Sequence, residues 1–65
     1  MRVKKIHRYV MVSNPSKSIT ILEDIDGWFY IAKLPIDQNN TWSSIEEIEQ
    51  YLEIRVKPYG IKEVW

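Results

Sequence analysis

The sequence predicts an α+β fold: a three- to four-stranded antiparallel sheet with one helix packed on one face, in the order β-β-β-α, with room for a final short strand. Three observations predict it. β-branched and aromatic runs fill the first half of the chain, an Asp26-Gly27 pair joins two of them, and a capped helical repeat opens near Ser44. Sixty-five residues make a single small domain spanning 1–65. A chain of that length buries only about 60% of its unfolded surface, so its core has little to spare.

The first strand is expected over Val3 to Val12, ending at the turn cluster Ser13-Asn14-Pro15-Ser16, where proline fixes φ and Asn and Ser bond to the backbone. Ile6, Val10 and Val12 share a face with Arg8, and Tyr9 and Met11 share the other with Lys5 and His7. An apolar half and a basic half suit a protruding or edge strand. Lys17 to Ile25 is the second strand and Trp28 to Leu34 the third, joined by Asp26-Gly27 in an expected type I′ turn, which needs φ > 0 at both central positions. Apolar residues on both faces near the turn mark the third strand as central. Pro35 ends it, and Ile36 to Thr41 is a polar loop.

Ser44 with Glu47, or Ser43 with Glu46 preceded by Trp42, fits a capping box at the start of the helix. Ile45, Ile48 and Leu52 recur at helical spacing, while Glu46, Glu47, Glu49, Gln50 and Glu53 face water. Arg55 and Lys57 suit the negative end of the helix dipole, and Pro58-Tyr59-Gly60 is expected to stop the helix. Ile61 to Trp65 can add a short last strand.

Composition narrows the function. The apolar fraction is 45%, led by Ile and Val, which is a globular composition and not a disordered one. With no cysteine there is neither a disulfide framework nor a thiolate metal site. No apolar run approaches the ~20 residues of a membrane span, and none follows the basic start as a signal peptide requires. The expected location is cytoplasmic. Catalysis finds little support: His7 is the only histidine, and nothing in the sequence places a nucleophile and a carboxylate beside it. Gly27 and Gly60 are the only glycines, too few for a phosphate loop. Glu23-Asp24-Ile25-Asp26-Gly27 has carboxylates but not the spacing of a calcium loop, since the twelfth position from Asp24 is Pro35. No enzyme activity, metal or cofactor is expected.

Charge and aromatics are more informative. Nine cations balance nine anions, but Arg2, Lys4, Lys5 and Arg8 crowd the first eight residues, while Glu46, Glu47, Glu49 and Glu53 line the helix. Trp28, Phe29 and Tyr30 are consecutive, so a sheet covered on one side must leave either Trp28 and Tyr30 or Phe29 partly exposed. The expected function is stoichiometric binding to a larger protein, as an inhibitor, adaptor or regulatory subunit. Its contacts would be Trp28 and Tyr30 on the sheet and Glu46, Glu49 and Glu53 on the helix. An uncovered edge or face would equally suit a homodimer. The rival reading is a nucleic-acid-binding domain using Arg2, Lys4, Lys5 and Arg8. Richness in Ile and Lys also fits an accessory protein of a phage or mobile element with an AT-rich genome.

Two local resemblances accompany these readings. Residues Ile21 to Leu34, followed by Pro35 and Ser44-Ile45-Glu46-Glu47, resemble small antitoxins of the HicB type, without their Gly-Cys and Gly-Asp-Thr elements. The same stretch is similar to the three-stranded arm-binding domains of tyrosine integrases, whose strands are basic where this hairpin carries Glu23, Asp24 and Asp26. Neither resemblance transfers a site residue.

Overall fold

The computed structural model describes residues 2–32 and 40–64. They form β1 (Val3–Met11), β2 (Ser18–Asp24), β3 (Phe29–Ile31), α1 (Ile45–Leu52) and β4 (Val56–Glu63). All four strands join one antiparallel sheet in the order β3-β2-β1-β4, with α1 over one face. The α+β architecture is the expected one. Pro35, most of the expected 36–41 loop and Trp65 lie outside the described residues.

Strand positions differ from expectation in two ways. β1 is central, not an edge: it pairs with β2 from Val3↔Asp24 to Val10↔Ser18, and with β4 from Lys5↔Glu63 to Met11↔Val56. β3 is the edge, and its outer side is closed at one point by mutual backbone bonds between Phe29 and Trp42. Pro58-Tyr59-Gly60 does not stop the helix; it lies inside an eight-residue β4. β4 accommodates the proline because it is an edge strand whose register shifts where Arg8↔Gly60 gives way to Tyr9↔Pro58.

The β2–β3 turn is not type I′. The Gly27 N–H donates to the Asp24 carbonyl, the Asp24 N–H donates to the Trp28 carbonyl, and Gly27 takes φ 89° while Asp26 keeps a negative φ. That is a three-residue loop, a β-turn followed by a glycine bulge. The longer loop forms because the Asp24 side chain accepts the Asp26 N–H at 2.9 Å and the Trp28 N–H at 3.0 Å.

Helix α1 begins where its capping residues put it. Ser44 is the N-cap, and its hydroxyl accepts the Glu47 N–H at 3.3 Å. The Glu47 carboxylate reaches back one residue further than in a simple capping box, accepting the Ser43 N–H and hydroxyl, both at 2.9 Å. These bonds to Ser43, first the backbone and then the side chain, hold the Glu47 carboxyl below its ordinary range. The helix ends at Leu52 because Glu53 turns left-handed, φ 56°, with Glu53 and Ile54 N–H groups closing onto Gln50 and Glu49 carbonyls. Arg55 and Lys57 therefore lie beyond the helix and not in its last turn.

Ile21 and Ile48 are the most deeply buried side chains, and Leu22 and Tyr30 complete the buried apolar set. An eight-residue helix is about 12 Å long, whereas a nine-residue strand runs about 30 Å. The helix therefore covers only part of its face. β4 remains exposed along nearly its whole length. No described helix is long and apolar enough to cross a membrane.

Two substitutions test the helix ends by urea unfolding. Ser44→Ala should cost about 1 kcal/mol. Glu53→Gly should stabilise by roughly 0.5–1 kcal/mol, because glycine adopts the left-handed C-terminal position without strain.

Candidate binding surfaces

Asp24 is buried, 5% exposed, and its second carboxylate oxygen accepts the Tyr30 hydroxyl at 3.1 Å. Burial works to raise this carboxyl. The N–H donors of Trp28 and Asp26, the Tyr30 hydroxyl and the Gly27 N–H outweigh it and hold the group below the ordinary aspartate range. Burial and the adjoining Asp24 carboxylate push the Tyr30 phenol upward. Tyr30 is therefore corrected from a partner contact to a core residue. Trp28 and Tyr30 do not share a fate, because Trp28 belongs to the bulged loop before β3 and stays 46% exposed.

Register assigns the remaining side chains to faces. On the helix side, successive rows across β2-β1-β4 read Ile19–Tyr9–Pro58, Ile21–His7–Ile61 and Glu23–Lys5–Glu63. On the far side they read Ser18–Val10–Lys57, Thr20–Arg8–Gly60 and Leu22–Ile6–Lys62. Lys5 thus stands between two glutamates on the helix side, separated from Arg8. The expected basic cluster of Arg2, Lys4, Lys5 and Arg8 is divided by the pleat.

A groove runs between α1 and β4. One stretch, about 500 Å³, is lined by Tyr9, Phe29, Val56 and Pro58 from the sheet and by Glu46 and Glu49 from the helix. Through Tyr9 and Pro58 it opens into a second stretch of about 450 Å³ beside His7, Tyr59 and Ile61. A third stretch, about 640 Å³, shares Glu46 and Glu49 with the first and lies beside Val12, Ile54, Glu53 and Arg55. The structure therefore brings Glu46, Glu49 and Glu53 together along one rim. Glu49 is also anchored, since its carboxylate accepts the Val56 N–H at 2.8 Å where β4 begins. Trp28 does not line this groove.

At the groove's centre the Tyr9 phenol is raised first by burial and then by the Glu23, Glu46 and Glu49 carboxylates. The His7 Nε2 lies 2.8 Å from Glu23 Oε1, and its ring neighbours those of Tyr9 and Phe29 at 6.1 and 6.0 Å. Aromatic walls with carboxylates above them form a site for an apolar segment that carries positive charge. Among the described residues no cluster of three or more His, Asp or Glu side chains is placed to hold a metal ion.

No family model, curated protein or solved structure matches the chain. The groove therefore rests on its own geometry. The meeting of Tyr9, Pro58, Tyr59 and Ile61 in one groove is not visible in the linear sequence, because it depends on β4 pairing with β1. The available signal was the alternation of Val56, Pro58 and Tyr59, Ile61 with lysines, which Pro58 and Gly60 disguised as a helix stop.

The Asp24 site makes a pH-dependent prediction. Its carboxyl titrates lower folded than unfolded, so it adds stability above pH ~4 that is lost as pH falls through the lower folded value. Urea midpoints measured against pH should fall in that acid window. Asp24→Asn should flatten the fall while costing about 1–2 kcal/mol near neutrality. At the alkaline end, absorbance titration should show Tyr9 and Tyr30 ionising above the ordinary value of 10.

Proposed function

We propose that the chain is a non-catalytic binding module that docks stoichiometrically onto a larger protein, seating an extended, cation-bearing segment of that partner between α1 and β4. The carrying observation is that Glu46 and Glu49 stand beside the Tyr9, Phe29 and Pro58 wall, with Glu53 continuing their row along the neighbouring stretch. Apolar contact with the wall supplies affinity. The carboxylates select a lysine or arginine and disfavour an acidic competitor. A module of this kind serves as an inhibitor, adaptor or regulatory subunit, and a cytoplasmic setting suits it.

Self-association through the β4 edge is the less favoured occupant. That edge carries Pro58, a register shift and two lysines, each of which hinders pairing with another strand.

The test is retention of a partner by the tagged full chain in nuclease-treated host lysate at moderate salt. Glu46→Lys combined with Glu53→Lys reverses charge at two exposed positions and should reduce retention at least tenfold with the thermal melt preserved. Retention that survives this change but is lost in Trp28→Ala would move the docking site to the β2–β3 turn and overturn the groove.

A further inference from the structure

On the face opposite the helix, β4 adds to the basic end of β1 in a way the linear order hides. Lys57 lies beside Val10, Gly60 beside Arg8 and Lys62 beside Ile6, so Lys57, Arg8 and Lys62 occupy successive same-face rows. Each row is about 6.7 Å from the next along the strands. The β2 residues in these rows are Ser18, Thr20 and Leu22, so the cations have no carboxylate in register with them. All three are exposed.

An aromatic ring borders this row at the sheet edge. Tyr59, the residue left over where the β1–β4 register shifts, is 64% exposed, and the Arg8 guanidinium lies 5.3 Å from its ring centre. The guanidinium orders the ring on one side and leaves the rest of it open to solvent.

We propose that this far face is a binding site for single-stranded nucleic acid. Lys57, Arg8 and Lys62 take consecutive phosphates, and Tyr59 receives an unstacked base. Two features select a single strand. The spacing of the cations matches the step between phosphates of an extended strand, and a ring lying beside them can stack only on a base that is free of a duplex. The three cations lie on the opposite side of the sheet from the α1–β4 groove, while Tyr59, at the β4 edge, borders both. Charge reversal at Lys57 and Lys62, which line no part of the groove, therefore tests this site separately from the protein-docking reading.

Fluorescence anisotropy with a labelled 20-nucleotide oligothymidine, the corresponding duplex and an abasic strand of equal length tests the site on the full chain. The single strand should bind more tightly than the duplex, and log K should fall against log salt with a slope of about −2, the value for three phosphates on a single strand. Lys57→Glu with Lys62→Glu should weaken binding at least tenfold, and Lys57→Gln with Lys62→Gln should weaken it less. Tyr59→Ala should cost about fivefold or more on oligothymidine and little on the abasic strand. Unchanged binding in the charge-reversed variant overturns the proposal. So does equal affinity for the duplex, for vesicles of anionic phospholipid or for polyglutamate, since each would show a general polyanion surface.

Discussion

β1 holds the sheet together, because it joins the last strand, β4, to the β2–β3 hairpin. Its alternation decides which residues of β2 and β4 lie beneath the helix and which lie on the opposite face, and a slip of one residue would exchange the two sets. With its present register, Tyr9 and His7 meet the helix side while Arg8 faces away. Neutral overall charge therefore conceals a two-sided molecule, with glutamates gathered near the helix and lysines with Arg8 behind the sheet. Neither surface exists in any one segment of the chain.

A second constraint is the shortness of α1. Eight residues can shield Ile21 and Ile48 but cannot also roof β4, and the uncovered strip becomes the groove. Polar bonds support what apolar burial alone leaves thin. Asp24 ties the β2–β3 loop to Tyr30, Glu47 ties Ser43 to the first turn, and Glu49 ties the helix to the start of β4. Each of these carboxylates satisfies backbone or hydroxyl donors at a place where the chain changes direction.

Local features of this architecture were legible in the sequence, and long-range ones were not. The helix start, the hairpin between the second and third strands and the approximate limits of the first two strands follow from short-range chemistry at Ser44, Asp26-Gly27 and Pro15. Which strand is central follows from pairing between residues some fifty positions apart, and no local pattern encodes it. Tyr30 looked like a surface aromatic because alternation counts from Trp28 as though both were in the strand. The bulged loop removes Trp28 from that count, and the buried Asp24 gives the Tyr30 hydroxyl a partner inside. The Glu46, Glu49 and Glu53 row was legible from helical spacing. Its aromatic wall was not, because Pro58 and Gly60 imitate the end of a helix when β4 has no visible partner.

The Lys5↔Glu63 pairing has a consequence for how the fold is reached. The central strand of the sheet comes from the beginning of the described chain, and one of its neighbours comes from the end. During synthesis β1 can pair with β2 early, but its other edge stays open until residues 56–63 have emerged. Closing that long loop is costly in chain entropy, and the cost is met late in assembly. A product cut short after α1 would retain the helix cap and the hairpin yet leave the backbone of β1 bare along one side, open to the strands of other chains. Completion of the last strand thus also serves as protection against aggregation.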